Sequence, residues 1–207
     1  PGIADQISYH ELASRVLQGH GFTFGTGWWP ATPAGEPTAH WSFLYVLYLA
    51  SVYFVFGANA IVPRLLQATA TGALHVLLTW RIGRRLFGER AGLISAVIAA
   101  FNAYFIYYSS ALMTEAAYIV AVLWMVDLAT SMDEEAAQGR GPARWRSWLW
   151  LGLAISAAAL LRQMILILTP VVIGWTVWQC TRRAAAAGQP ARQAALQYSR
   201  GALLTVG

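Results

Sequence analysis

Two carboxylates and two arginines stand out, because each sits where the neighbouring sequence carries little other charge. Asp5, Tyr9, Leu12 and Val16 recur at helical spacing, so they share one stripe of a short helix that Gly19 and Gly21 end. A carboxylate one turn from a tyrosine can serve as a general base. Asp is also a favoured helix N-cap, and spacing alone favours the cap. Glu115 closes the polar stretch Ser109-Ser110-Ala111-Leu112-Met113-Thr114-Glu115 between two apolar runs. It is either a site carboxylate or the first-turn acid of a helix capped by Ser110 or Thr114. Arg64 follows Pro63 at the start of an apolar run, and Arg162 interrupts another. A guanidinium can hold a phosphate bidentately, or its stem can snorkel to headgroups. His10, His20 and His40 lack His-x3-His spacing, so no metal site is marked. Gly19-His20-Gly21 and Gly25-Thr26-Gly27 lack the strand–helix context of a phosphate loop.

The elements that position these residues follow from composition. The 207 residues are 57% hydrophobic and 11% charged, against about 25% charged in an ordinary soluble domain. Roughly 30% of the surface that so short a soluble chain exposes when unfolded would stay wet, which argues against a water-soluble enzyme. Cys180 is the single cysteine, so a disulfide scaffold is excluded; ten Trp, nine Tyr and eight Phe exclude disorder. A polytopic membrane protein remains. The net charge of +5, carried by Arg with no Lys, is read as cytoplasmic loop charge and not as nucleic-acid binding.

A crossing needs about 20 apolar residues. Spans are expected at about 61–80, 91–108, 112–130, 146–161 and 163–180, with another starting at 201. Residues 148–180 are too long for one crossing and turn at Arg162. With that hairpin, three arginine clusters share one side: Arg81, Arg84, Arg85 and Arg90; Arg140, Arg144 and Arg146; and Arg182, Arg183, Arg192 and Arg200. Each is read as lying in a cytoplasmic loop, with the acidic run Asp133-Glu134-Glu135 as solvated loop. His75 is expected inside the bundle and Asp127 at a helix end. Glu115, Arg64 and Arg162 then face outside. The run 41–57, with Trp41, Tyr45, Tyr48 and Tyr53, suits an interfacial helix, so residues 1–60 form an external first loop with juxtamembrane helices, and 61–207 the transmembrane region. With no Met at Pro1 and a fresh apolar run near Gly207, the chain is read as one incomplete domain.

The order of these features resembles the GT-C membrane glycosyltransferases, particularly the bacterial branch of the dolichyl-phosphate-mannose–protein mannosyltransferases. The likeness is carried by Asp5-Gln-Ile-Ser-Tyr9 with Gly19-His-Gly21, Pro37-Thr-Ala-His40-Trp41, Arg64-Leu-Leu-Gln67, Arg81-Ile-Gly-Arg-Arg-Leu-Phe-Gly88, Thr114-Glu115 and Leu161-Arg162. Ser42-Phe43 and Asn102-Ala103 stand where that family often has prolines. The resemblance implies an all-α, polytopic bundle that transfers a sugar, with inversion, from a polyprenyl-phosphate donor to a protein or glycolipid hydroxyl at the outer face of the cytoplasmic membrane. It implies Asp5 as the base, Glu115 beside it, and Tyr9, His40, Arg64 and Arg162 as substrate-binding residues. It calls for no cofactor beyond the lipid-linked sugar, and the residues in view require no metal. The rival is a polytopic transporter or lipid flippase, which would carry mid-span charges and broken helices; a non-catalytic scaffold would explain the composition but not the one-sided set of Asp5, Glu115 and Arg162.

Overall fold

The computed structural model describes residues 2–28, 32–138, 145–203 and 205. Among these the chain forms nine α-helices, and extended pairing is limited to the isolated bridges Thr23–Pro37 and Trp28–Thr32. The helices are α1 (Gly2–Leu17), α2 (Phe43–Phe56), α3 (Ile61–Phe87), α4 (Glu89–Ala100), α5 (Ala103–Ser110), α6 (Glu115–Ala137), α7 (Trp145–Leu161), α8 (Ile165–Ala186) and α9 (Ala191–Leu203). Two compact units result: Pro1–Leu74 with Ala100–Tyr118, and His75–Ala99 with Ile119–Gly207.

Among the described residues three helices, α3, α6 and α8, are long and apolar enough to cross a bilayer; α4 with α5 makes a fourth crossing if the bent pair is one span. The all-α architecture is that of a multi-pass membrane protein. α2 has 14 residues, about 21 Å of helix, too short for a hydrocarbon core of about 30 Å.

In the first unit, α1 and α2 pack along each other. Ser42 caps α2, its Oγ accepting from the Tyr45 amide. Tyr45, Val46, Leu49 and Tyr53 turn inward, while Phe54, Val55 and Phe56 stay exposed. α1 stops at Leu17 because Gly19 and Gly21 take positive φ of 82° and 64°, a conformation that side chains with a Cβ resist. The loop that follows is tied back to α1: Arg15 donates to Thr23 Oγ1 at 2.9 Å and the Gly25 amide donates to Glu11 at 3.0 Å.

Several expectations change. The 91–108 run is not one straight span; it bends by 53° between α4 and α5. Asn102 causes the break, its Oδ1 accepting from the Phe105 amide at 3.0 Å and capping a new helix. Arg81, Arg84 and Arg85 lie in the last turns of α3, not in a loop. Asp133-Glu134-Glu135 is likewise helical, in α6. Arg140 and Arg144 fall outside the described residues. The residues from 201 to 203 form the last turn of α9, where a Cβ at Gly201 would collide with the Trp148 indole.

The reason that α3 and α6 continue is an ion-pair cluster in the second unit. Asp127 is buried on α6, and its carboxylate takes Arg81 at 3.1 Å and Arg85 at 2.9 Å. Arg85 also donates to Thr130 Oγ1 at 2.8 Å and pairs with Glu134 at 3.1 Å, while Asp133 pairs with Arg183 of α8 at 3.3 Å. The C-terminal ends of α3, α6 and α8 are thereby tied together. Removing the carboxylate leaves Arg85, whose side chain is only 14% exposed, with Glu134 as its one acid and takes the acid from Arg81. Asp127→Ala is expected to cost about 3 kcal/mol, the lower end for breaking a buried pair because Arg81 can reach solvent. Thermal unfolding in detergent checks this, with Glu134→Ala, on an exposed pair, expected to cost under about 1 kcal/mol.

Candidate functional site

The first unit carries five of the six expected site residues. Asp5 lies within the first turns of α1, which starts at Gly2, so it is not the N-cap that spacing favoured. Tyr9, one turn on, is buried and meets Trp41 and Tyr45 edge-on at centroid distances of 5.2 and 4.9 Å. His40 is exposed and stands edge-on to Trp41 at 5.3 Å. Glu115 opens α6 and is half-buried, with Oε2 enclosed. Burial pushes the Tyr45 phenol well above its ordinary range, neighbouring phenols add to it, and the Glu115 charge acts in the same direction.

Arg64 sits in the first turn of α3, behind Pro63, where a proline costs the helix no hydrogen bond. Tyr48 Oη donates to the Pro63 carbonyl at 2.7 Å and fixes this helix start against α2. One Arg64 Nη donates to Gln6 Oε1 at 2.8 Å, whereas Nε is buried with no acceptor among the described residues. A groove of about 310 Å³ opens here, lined by Gln6, Ile7, His10, Ala60, Arg64 and Leu112. His10 Nδ1 and Tyr53 Oη are hydrogen-bonded at 2.8 Å. Burial raises the Tyr53 phenol while the Arg64 charge pulls it down, which places the cation near that pair. Gln6, Ile7 and His10 form a stripe of α1 beside the stripe of Asp5, Tyr9 and Leu12.

Below the groove the buried Gln67 amide joins three segments. Its Oε1 accepts from Tyr45 Oη at 2.6 Å, and its Nε2 donates to the carbonyls of Ser109 at 3.1 Å and Ala111 at 2.8 Å. The stretch that leads to Glu115 is thus held against α2 and α3. Gln6, His10, Tyr53 and Gln67 carried no assigned site role in the sequence. Gln6 and His10 are four apart, a visible helical pair; His10 and Tyr53 are 43 residues apart, and nothing local links them.

Arg162 belongs to the second unit, at the break between α7 and α8, where its amide donates to the Ala158 carbonyl at 2.8 Å. Its side chain is half-buried. Among the described residues no group of three or more His, Cys, Asp or Glu side chains converges as metal ligands.

The apolar helices and the donor-lined groove define a membrane-embedded protein with a polar site on its first unit. Residues 41–194 match the family model described as dolichyl-phosphate-mannose-protein mannosyltransferase, and that match spans most of the chain. The protein therefore belongs to this glycosyltransferase family. The match begins at Trp41, so Asp5, Tyr9 and His40 precede it. No curated protein and no solved structure matches the chain.

The Gln67 bridge gives a direct test. Gln67→Leu takes this partner from the Tyr45 hydroxyl and from the Tyr108 and Ser109 carbonyls, while Ala111 keeps the Met113 amide, and should destabilise the protein by about 3 kcal/mol. Tyr45→Phe, which removes a single bond, should cost about 1 kcal/mol. Melting of the two variants in detergent gives the order; equal, negligible losses would mean that water replaces the bridge.

Proposed function

We propose that this chain contributes the donor side of a membrane glycosyltransferase that moves a sugar from a polyprenyl-phosphate carrier to an acceptor hydroxyl, with inversion. The acceptor is a protein or glycolipid, and the reaction runs at the outer face of the cytoplasmic membrane. Residues 1–60 form the external part, and the arginine-rich helix ends of the second unit face the cytoplasm, in keeping with the excess of Arg at those ends.

The observation that carries the reading is Arg64. A buried guanidinium nitrogen with no acceptor among the described residues, beside a groove, costs free energy unless a ligand supplies one. A phosphate matches it in charge and in geometry. In the transfer the acceptor oxygen attacks the anomeric carbon, the carbon–oxygen bond to the lipid phosphate breaks, and the phosphate leaves with its added negative charge. Arg64, steadied by Gln6, stabilises that charge. Asp5 takes the proton of the attacking hydroxyl. Glu115 orients the base or the acceptor, with Tyr9 and His40 contacting the sugar. The donor is already activated, so the reading needs no cofactor.

The 53° break between α4 and α5 is the one observation that favours a transporter, because broken helices line transport sites. Movement of a sugar–lipid across proteoliposomes without transfer to an acceptor would establish that reading instead.

Two predictions separate the roles. Arg64→Ala in the full-length protein should weaken donor use at least tenfold with little loss of folding, and Arg64→Lys should restore it in part because the bidentate fork is gone; wild-type turnover in Arg64→Ala would leave it a headgroup anchor. Asp5→Asn keeps size and polarity but cannot take a proton, so turnover should fall about a hundred- to ten-thousand-fold while melting stays put. The assay is sugar release from a polyprenyl-phosphate donor, with Glu115→Gln alongside. Near-normal turnover in Asp5→Asn with collapse in Glu115→Gln would move the base to Glu115.

A further inference from the structure

A second groove, of about 210 Å³, opens in the other unit, between the C-terminal half of α3, the start of α4 and α6. Its walls include Ile82, Phe87, Ala91 and Leu123. It exists because α3 and α4 touch backbone to backbone: a Cβ at Gly92 would lie 2.8 Å from Arg84 Cβ, and one at Gly83 would collide with Ser95 Oγ. Beside that contact the longer side chains cannot close the space. Phe87 is 77% exposed, so the groove is open along one flank.

Two arginines adjoin its wall residues in sequence, Arg84 after Gly83 and Arg90 before Ala91. Asp127, Glu134 and Asp133 are engaged by Arg81, Arg85 and Arg183. Arg84 is left with Glu89 at 3.9 Å, between two half-exposed side chains, a pair worth little. It lies instead over the Trp80 ring, 4.4 Å from the centroid, which fixes the guanidinium plane without neutralising its charge. Trp80 Nε1 is buried with no acceptor among the described residues. Arg90, next to Ala91 of the wall, is exposed and forms no ion pair among the described residues.

We propose that this groove binds one anionic phospholipid, with an acyl chain along Ile82, Phe87, Ala91 and Leu123 and the headgroup phosphate at Arg84 and Arg90. A zwitterionic headgroup would bring its own cation into the same rim, and free phosphate would leave the apolar wall empty. The site is independent of the transfer chemistry, because none of its residues belongs to the first unit.

The test is thermal unfolding of the full chain in a neutral detergent with added phosphatidylglycerol, phosphatidylcholine or inorganic phosphate. At a lipid concentration about a hundred times Kd, phosphatidylglycerol should raise the midpoint by about 5 °C, and the other two by less than half of that. Arg84→Gln/Arg90→Gln should abolish the difference between the lipids, Ala91→Leu should reduce it by filling the groove, and Arg192→Gln, on α9, should leave it intact. If the double variant unfolds without lipid, Arg90→Gln alone, at an exposed position, carries the comparison. An equal shift with phosphatidylcholine, a full shift with inorganic phosphate, or an equal loss in Arg192→Gln would overturn the proposal.

Discussion

The first unit depends on one buried amide. Gln67 is 4% exposed, and in an apolar setting each of its polar atoms must be matched or it opposes folding. Its oxygen takes the Tyr45 hydroxyl and its nitrogen takes the carbonyls of Ser109 and Ala111. An apolar side chain cannot replace it, because the Ser109 carbonyl lies in the last turn of α5 and has no helical donor of its own. The segment before Glu115 therefore cannot drift from α2 and α3. Arg64 lies one turn earlier on the same helix, so one constraint sets the register of a cation and a carboxylate.

The second unit meets the same problem with charge. Asp127 is taken out of water and is tolerated because two arginines pair with its carboxylate. A carboxylate placed there without them would face a desolvation cost of several kcal/mol. The arginines gain as well, since their long stems stay along helices of apolar character while the heads reach the acid. Both units leave long apolar faces exposed for lipid, as a bilayer solvent demands.

Much of this was legible in the sequence, for reasons of length. An apolar run of about 20 residues has few alternatives to a crossing, and the 14 residues of α2 are too few for one. The stripe of Asp5, Tyr9 and Leu12 followed from helical period. The helix ends were harder. Arg is a good helix former, so a basic cluster does not by itself mark a loop, and its true anchor, Asp127, lies 42 residues away from Arg85. Asn102 reads as ordinary polar punctuation until its cap on Phe105 is seen. Gln67 was visible as a residue, but its value comes from carbonyls more than 40 residues on, and a carbonyl leaves no mark in a sequence. The site shows the same division: Arg64 was singled out by position, while the His10–Tyr53 pair beside it needed the packing of α1 on α2.

On the proposed function the groove at Arg64 receives the lipid phosphate. Photocrosslinking tests it most directly, with a diazirine-bearing polyprenyl phosphate applied to the full-length protein in bilayers and the adducts mapped by mass spectrometry. Labelling is expected on α1 and the first turns of α3, around Gln6, His10 and Arg64, suppressed by unlabelled polyprenyl phosphate and not by inorganic phosphate. Labelling confined to α7, α8 and α9, or labelling of the first unit that unlabelled carrier does not compete away, would contradict it.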